Sequence, residues 1–539
     1  MKSDIEIAQA AKMKPISDIA ARIGLKKDQI IPYGKYIAKI PLEINKSKQH
    51  KERQAKLILV TAMTPTPMGE GKTTNTIGLG QALNKINKNT MIAIREPSLG
   101  PCMGLKGGAA GGGYSQVLPM EEINLHFTGD LHAITASHNL LSAVIDNHIH
   151  QKKTPEINPR NINWKRVIDM NDRALRSILI GLEGKGINGV LREDGFEITA
   201  ASELMAILCL AQDLEDLKTR IGNIIIGYDY FRKPIKAAEI GVNSAMTALL
   251  KNAALPNLVQ TIEGVPVFVH GGPFANIAHG CNTLIATKMA LKLADYVITE
   301  AGFGADLGAE KFFNIKCRYG NLKPDAVVLV VTKRAFAVHG IENVIKHVEN
   351  IRQFNLPVAI SINKFLDDSI EELTDIQKQC EDNGIVANIT DFREQGGVGG
   401  IELAQTMEKL CQENNKFSFL YELTDTVIDK ITTIAQKIYG AAGIELSSIA
   451  KKEIKKIENL GYGDLPVCMA KTPASLSDNS KIPGRPKDFT IMITNARLSA
   501  GAGFIVIYTG NIMTMPGLPK TPAAMSIDID KNGIISGLF

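Results

Sequence analysis

A short segment with the spacing of a phosphate-binding loop is the strongest chemical signal in the chain. It matches the pattern G-x-x-x-x-G-K-[ST] at every fixed position except the first, where Thr66 replaces glycine. In this pattern the loop amides surround the phosphates, the lysine reaches the β- and γ-phosphates, and the hydroxyl binds magnesium. Lys72 is therefore a predicted catalytic residue, and Thr73 is a predicted magnesium ligand. The predicted ATP-binding residues are Thr66, Pro67, Met68, Gly69, Glu70, Gly71, Lys72 and Thr73.

Other polar segments follow predicted strands and could share a site with this loop. Arg95 comes directly after an apolar run, and ligands bind at the carboxyl edge of an open α/β sheet. A surface ion pair with Glu96 is the alternative. Segments 106–113, 270–280 and 300–306 are rich in glycine, which permits anion-binding backbone conformations. A flexible linker or a tight turn would have the same composition.

The elements that must position these residues alternate between strands and helices. Apolar runs typical of buried strands occur at residues 57–62, 91–94, 224–227, 265–269, 296–299, 327–332 and 358–362. Helical patterns lie between most of them, at residues 131–148, 200–217, 277–293, 341–353, 369–382 and 423–439. This alternation predicts an α/β fold with a doubly wound parallel sheet of the P-loop NTPase kind.

A change of pattern after Gly440 indicates a smaller C-terminal unit. Proline and glycine become dense from Gly461 onward, and two further strands are predicted at residues 489–494 and 504–508. With 539 residues, the chain exceeds the size at which one hydrophobic core usually stops growing. We expect a P-loop α/β domain, a second α/β domain and a C-terminal α+β domain, over residues 1–345, 346–440 and 441–539.

Composition is that of an ordinary globular protein. Apolar residues make up 45% and charged residues 22%, and the net charge of +5 is too small and too dispersed to indicate a nucleic-acid partner. Seven cysteines occur without a CxxC pair, which argues against a disulfide framework and a zinc or iron–sulfur site. The N-terminus is charged where a leader would be apolar, and no apolar run is long enough for a membrane span. We therefore expect a cytoplasmic protein without a membrane partner.

Six long motifs, in one order along nearly the whole chain, resemble those of the formate–tetrahydrofolate ligase (10-formyltetrahydrofolate synthetase) family. They lie at residues 64–74, 95–101, 106–114, 124–130, 300–306 and 513–520. The resemblance implies activation of formate by ATP as formyl phosphate, and transfer of the formyl group to tetrahydrofolate. It further implies Mg²⁺, a monovalent cation and a homotetramer.

The resemblance also implies roles for individual residues. Arg95 matches the family arginine that holds formate and then formyl phosphate, a task that suits a planar bidentate donor. Asp130 is the implied base for the N10 proton, although it could serve only as a helix cap. Phe365 matches a family aromatic of the folate pocket, and Phe303 is assigned to the same pocket. Arg393 stands where the family commonly has a pterin-stacking tryptophan, and it is kept as a folate-binding residue because arginine also stacks on flat rings.

Other interpretations remain open at this point. The loop could be a strand-to-helix turn that binds no ligand. A P-loop switch or assembly ATPase would share the loop and the sheet, and Asn363-Lys364 resembles the start of the guanine-reading Asn-Lys-x-Asp. The aspartate position holds Leu366, however, and the acid comes one residue later, at Asp367. A carboxylate–amine ligase with another substrate would fit if Arg393 prevented pterin binding.

Overall fold

The computed structural model describes residues 2–46, 55–104, 110–183 and 186–538. Its strands, in chain order, are β1 (Ile31–Pro32), β2 (Ala38–Lys39), β3 (Lys56–Ala62), β4 (Thr90–Ile94), β5 (Gly111–Gly112), β6 (Ser115–Leu118), β7 (Arg166–Ile168), β8 (Ile178–Ile180), β9 (Arg192–Asp194), β10 (Phe196–Ile198), β11 (Ile225–Tyr228), β12 (Pro234–Lys236), β13 (Asn257–Thr261), β14 (Pro266–Val269), β15 (Tyr296–Glu300), β16 (Ala326–Val331), β17 (Val358–Asn363), β18 (Ala387–Thr390), β19 (Gly443–Leu446), β20 (Val467–Ala470), β21 (Thr490–Ile493), β22 (Asn495–Ser499), β23 (Phe504–Tyr508), β24 (Asp528–Ile529) and β25 (Ile535–Ser536).

The α-helices within these ranges are α1 (Asp4–Ala10), α2 (Ile16–Arg22), α3 (Glu43–Lys46), α4 (Lys72–Lys85), α5 (Leu99–Met103), α6 (Met120–Asn124), α7 (Asp130–His150), α8 (Glu203–Leu210), α9 (Leu214–Gly222), α10 (Asn243–Leu249), α11 (Leu284–Leu293), α12 (Arg318–Gly320), α13 (Lys333–Arg352), α14 (Ile370–Asp382), α15 (Phe392–Gln395), α16 (Ile401–Leu410), α17 (Val427–Ile434) and α18 (Ser448–Asn459). Helix α13 is interrupted at Gly340, where φ is 70°. None of the helices that the structure describes has both the length and the apolar character needed to cross a bilayer.

A large, mainly parallel sheet forms the centre of this α/β fold. Its strand order is β1-β2-β13-β14-β4-β15-β3-β16-β17-β18, with β5 and β6 attached beside β13. In this order, seven neighbouring strands run parallel to one another: β14, β4, β15, β3, β16, β17 and β18. Their carboxyl ends therefore meet at one edge of the sheet, and the loops that leave this edge carry most of the residues predicted to do chemistry.

Burial on both faces explains why the central strands are apolar along their whole length. In β3, Leu57 and Leu59 pack into the core on one face, whereas Ile58 and Val60 pack into the core on the other. Continuous apolar runs of this kind are typical of parallel strands that helices cover on both sides. The central sheet is thus a rigid support for the loops at its edge.

Helix α4 lies unusually close to its neighbours because two of its residues are glycines. A Cβ added to Gly78 would lie 2.2 Å from Cδ1 of Phe392, and one added to Gly80 would lie 2.5 Å from Cδ1 of Ile92. No side chain fits at either position. The close packing holds the N-terminus of α4 at the carboxyl edge of the sheet.

The predicted strands are largely confirmed, with two corrections. The run predicted at 224–227 forms β11, but it pairs with β12 in a separate two-stranded sheet and is not part of the central one. Strand β13 was not predicted, and it pairs antiparallel with β14, β2 and β6. The sheet is therefore mixed and not wholly parallel.

The predicted helices are also largely confirmed, but three differ in their bounds. The helix predicted over 423–439 begins only at α17 (Val427–Ile434) and continues as a π-helix over Ala435–Tyr439. The helix predicted over 200–217 is divided into α8 and α9, because Ser202 and Asp213 each cap the start of a helix. The helix predicted over 277–293 begins only at α11, where the Thr283 side chain accepts a hydrogen bond from the backbone of Ala286.

The C-terminal strands form three small sheets outside the central one, one of which consists of β24 and β25. Strand β19 pairs with β21, and β20 and β22 both pair with β23. The strands predicted at 489–494 and 504–508 correspond to β21 and β23. This region contacts the edge of the central sheet through Lys471, whose ammonium lies 3.2 Å from the Asp306 carboxylate.

Candidate active site

The phosphate loop connects β3 to α4 at the carboxyl edge of the sheet. Gly69 and Gly71 have φ values of 79° and 71°, in the left-handed region that favours glycine. A Cβ added to Gly71 would also lie 2.6 Å from Nδ2 of Asn363, so a larger residue would not fit there. Lys72 opens α4, whose free N–H groups and dipole favour a bound phosphate. The loop therefore has the strand, turn and helix that phosphate binding requires.

The Glu70 side chain stabilises the phosphate loop through hydrogen bonds. Its buried carboxylate accepts hydrogen bonds from the backbone N–H of Thr66 at 2.6 Å and from the Thr66 hydroxyl at 2.8 Å. The hydroxyl of Thr332, just after β16, donates to the same carboxylate. The threonine that replaces the first glycine of the pattern thus has a structural role, because its hydroxyl helps to close the loop.

Thr73, Arg95 and Glu300 lie together beside this loop. Glu300 ends β15, the neighbour of β3, and its side chain is only 3% exposed. The Thr73 hydroxyl donates to Oε2 of Glu300 at 2.9 Å. Nη2 of Arg95 lies 3.6 Å from Oε1 of Glu300. A single carboxylate therefore joins the predicted magnesium ligand to the predicted formate-binding guanidinium.

Arg95 lies among the loops that leave three neighbouring strands. A Cβ added to Gly302 would lie 3.2 Å from Nη1 of Arg95 and 2.5 Å from Cβ of Ala275, so the loops after β14 and β15 are both close to the guanidinium. Nε of Arg95 is buried and has no hydrogen-bond partner among the residues that the structure describes. A buried unpaired donor costs about 1–3 kcal/mol, which favours a ligand that can accept a hydrogen bond.

Buried cationic side chains, among them Lys311 and Lys316, lie in this part of the site. Lys316 donates to Oδ1 of Asn282 at 2.7 Å, and burial lowers the pKa of Lys316 to about 8. The Thr299 hydroxyl, next to Glu300, donates to the same Asn282 oxygen at 3.0 Å. Burial, reinforced by the nearby charges of Lys316 and other cations, lowers the pKa of His279 well below its usual range. Cationic side chains of this kind suit small anionic substrates.

Asp130 lies in a buried ion pair with Lys39. Its carboxylate, 3% exposed, is 2.7 Å from Nζ of Lys39 and accepts a hydrogen bond from Nδ2 of Asn257 at 2.8 Å. Burial and then the charge of Asp130 raise the pKa of the adjacent Glu96 well above its usual range.

The aromatic residues predicted for the folate site lie in two loops of the same edge. Phe303 follows β15, has a φ of 62° and packs partly against the core. Phe365 follows β17, and the guanidinium carbon of Arg334 lies 4.1 Å from the centre of its ring. Arg334 also donates a hydrogen bond to the carbonyl of Gly69. Phe365 is thereby connected to the phosphate loop.

Arg393 is held by the N-terminal helix. Its Nη2 lies 2.7 Å from Oδ1 of Asp4, and the backbone N–H of Gly113 donates to the same oxygen at 3.0 Å. The Arg393 carbonyl accepts a hydrogen bond from the N–H of Tyr114 at 2.7 Å. These contacts fix Arg393 against the end of the glycine-rich segment, of which residues 106–109 lie outside the described ranges.

The whole chain matches one protein family. The model of the family described as formate–tetrahydrofolate ligase covers residues 2–539. The chain belongs to the formate–tetrahydrofolate ligase family. It is therefore an enzyme of one-carbon metabolism that ligates formate to tetrahydrofolate in an ATP-dependent reaction. The predicted ligase is confirmed, and this match decides against a switch or assembly ATPase.

The ligase has two residues in the site that the sequence analysis did not assign. Glu300 ends a buried strand with a charge, which is the same signal that marked Arg95, so it could have been found. Arg334 lies on α13, and no motif indicated that its side chain would reach both Gly69 and Phe365. The role of Arg334 was missed because it depends on which strands are neighbours.

Proposed function

We propose that this ligase works in two steps through formyl phosphate, at the carboxyl edge of the central sheet. The observation that carries the proposal is the position of Glu300, which lies 2.9 Å from the Thr73 hydroxyl and 3.6 Å from the Arg95 guanidinium. A phosphate on the loop and a formate on Arg95 would meet there. Phosphoryl transfer depends mainly on such positioning and on charge stabilisation.

In the first step, a formate oxygen attacks the γ-phosphorus of ATP. The bond from this phosphorus to the β–γ bridging oxygen breaks, and ADP leaves. Lys72 and the loop amides would stabilise the charge of the transferring group. Arg95 would hold formate through two parallel hydrogen bonds and would keep hold of the formyl phosphate. The step is needed because direct attack of an amine on formate would have to expel hydroxide.

The Thr73 hydroxyl and the Glu300 carboxylate suit Mg²⁺, because this ion prefers oxygen ligands. When bound, the ion would neutralise part of the negative charge of the phosphates. Glu300 would hold the Thr73 hydroxyl in place and, through its other oxygen, orient Arg95.

In the second step, N10 of tetrahydrofolate attacks the carbonyl carbon of formyl phosphate. The tetrahedral intermediate collapses, the carbon–oxygen bond to phosphate breaks, and phosphate leaves. Asp130 remains the predicted acceptor of the N10 proton. The support for this role is the resemblance of residues 124–130 to the family motif.

Phe303, Phe365 and Arg393 are proposed to line the folate site. Phe365 has the strongest support, because Arg334 connects its ring to the phosphate loop. The guanidinium of Arg393 is engaged by Asp4. It would therefore offer the pterin a fixed, flat face and not a free charge.

Several broader features are also proposals. We propose a P-loop NTPase-like arrangement with domains over residues 1–345, 346–440 and 441–539, although β17 and β18 extend the central sheet into the middle segment. The resemblance supports a homotetramer and a monovalent-cation requirement, and the composition supports a cytoplasmic location.

The direct test of the two-step reaction is ADP production by the purified ligase. We expect about one ADP per active site with ATP and formate alone, as formyl phosphate accumulates on the enzyme. Continuous turnover should require tetrahydrofolate as well. ADP release that is indifferent to both formate and tetrahydrofolate would contradict the proposal.

Replacing Glu300 by glutamine should weaken the link between Thr73 and Arg95. We expect the formate KM to rise roughly tenfold, because the amide loses the charge that orients Arg95. The Mg²⁺ concentration needed for half-maximal binding of a fluorescent ATP analogue should rise as well. The exposed Glu371, in the first turn of α14, provides the control variant Glu371→Gln. Unchanged formate and Mg²⁺ dependences in Glu300→Gln would count against the role of Glu300.

Replacing Phe365 by alanine should raise the KM for tetrahydrofolate roughly tenfold, because flat rings stacked on aromatic side chains gain about 1–3 kcal/mol. The KM for formate should change little. Phe231, 91% exposed in the turn between β11 and β12, provides the control variant Phe231→Ala. If steady-state kinetics show the same tetrahydrofolate KM for Phe365→Ala and the parent enzyme, Phe365 does not line the folate site.

A further inference from the structure

Arg334 makes contacts with two parts of the site that lie on different strands. It belongs to the first turn of α13, after β16. Its guanidinium donates a hydrogen bond to the carbonyl of Gly69 in the phosphate loop. The same guanidinium lies over the ring of Phe365, 4.1 Å from its centre, in the loop after β17. One side chain thus bridges the proposed nucleotide and folate sites.

The surroundings fix Arg334 in this position. Thr332 caps the start of α13: its hydroxyl donates to Glu70 and accepts from the backbone of Ala335, so the start of the helix is connected to the phosphate loop. Nε of Arg334 lies 3.9 Å from the Glu70 carboxylate. The two loops also touch directly, because Nδ2 of Asn363 donates to the Glu70 carbonyl at 3.2 Å.

The chemistry of these contacts requires arginine. The planar guanidinium can donate in its own plane to the Gly69 carbonyl while its face lies on the Phe365 ring. A lysine ammonium could keep the first contact but has no flat face for the second. Because the guanidinium covers one face of Phe365, a pterin would have to stack on the opposite face.

We infer that Arg334 is a positioning residue that couples nucleotide binding to tetrahydrofolate binding. A nucleotide that orders the phosphate loop would fix the position of the Gly69 carbonyl. This carbonyl then holds the Arg334 guanidinium, and the guanidinium holds the Phe365 ring on which the pterin stacks. A second ligand then binds to a site that is already ordered. The coupling must be reciprocal, so tetrahydrofolate tightens nucleotide binding by the same factor. The inference rests on the proposed folate site at Phe365.

The test compares dissociation constants measured by titration calorimetry with the intact enzyme. The constant for tetrahydrofolate is measured with and without a non-hydrolysable ATP analogue and Mg²⁺, and the reciprocal pair is measured for the nucleotide. We expect each ligand to lower the dissociation constant of the other by about fivefold or more in the parent enzyme. The ratio of the dissociation constants without and with the other ligand should fall towards one in Arg334→Gln and in Arg334→Lys. Guanidinium ion should partly restore this ratio in Arg334→Ala.

Lys333→Ala is the matched control, because Lys333 lies in the same helical turn and its ammonium pairs with Glu372 on α14. This variant should keep the parent ratio. The conservative Arg334→Lys variant keeps the experiment decisive if another substitution fails to fold. A ratio of one in the parent enzyme, or a parent-like ratio in the Arg334 variants, would overturn the inference.

The Phe365→Ala variant separates this inference from the proposed folate site. If Phe365→Ala binds tetrahydrofolate normally, the folate site is wrong, whatever the Arg334 variants do. If Phe365→Ala binds tetrahydrofolate weakly but the Arg334 variants keep the parent ratio, the folate site stands and the coupling role of Arg334 is wrong.

Discussion

Replacing Lys72 by alanine is expected to lower the rate of formate-dependent ADP production by roughly 100- to 1,000-fold, the usual loss when one preorganised transition-state contact is removed. Lys72 opens α4 directly after the phosphate loop. Its charge is proposed to act mainly on the phosphoryl group in transit. The loop amides remain in the variant, so a fluorescent ATP analogue should still bind, although more weakly.

Lys85→Ala is the matched control for this variant. Lys85 lies in the last turn of the same helix, and its 45% exposed side chain pairs with Glu263 at 3.1 Å. We expect a nearly normal rate for this control. A nearly normal rate for Lys72→Ala would refute the proposed role. Equal losses in both variants would point to damage of the helix and not to loss of the ammonium group.

Replacing Arg95 by alanine is expected to raise the formate KM by roughly 10- to 100-fold, because hydrogen bonds to charged groups are among the stronger ones. Binding of the ATP analogue should change little, since Arg95 follows β4 and lies outside the phosphate loop. Arg95→Lys should give an intermediate KM, because it keeps the charge but loses the bidentate geometry. The measurement is steady-state ADP release over a range of formate concentrations.

Arg352→Ala is the control for Arg95, because Arg352 is an exposed arginine at the end of α13. A formate KM that stays at the parent value in Arg95→Ala would exclude formate binding by Arg95. A similar loss of ATP-analogue and formate binding would instead indicate that the variant disturbs the whole edge of the sheet.

The sequence predicted those parts of the site that are determined locally. The phosphate loop could be located because strand, glycine turn and helix are consecutive in the chain, and their spacing is set by backbone geometry. Arg95 could be selected for the same reason, since it directly follows a buried strand. The central strands were recognised because burial on both faces leaves a continuous apolar run.

The contacts between distant segments could not be predicted from local patterns. Arg393 pairs with Asp4, which lies near the N-terminus. Arg334 contacts both Gly69 and Phe365. Such contacts depend on the strand order, in which β15 lies between β3 and β4 although it comes much later in the sequence. Likewise β11 has the composition of a central strand but pairs with β12 and bridges to Ile162, outside the central sheet, because pairing is decided by tertiary structure.

Formate labelled with heavy oxygen shows whether the reaction passes through formyl phosphate. In the proposed reaction a formate oxygen attacks the γ-phosphorus and later leaves with it when N10 displaces phosphate. Mass spectrometry should therefore find one heavy oxygen in each phosphate released during the formation of 10-formyltetrahydrofolate. Phosphate without the label, with the heavy oxygen found in water instead, would show that formate is not phosphorylated and would contradict the account.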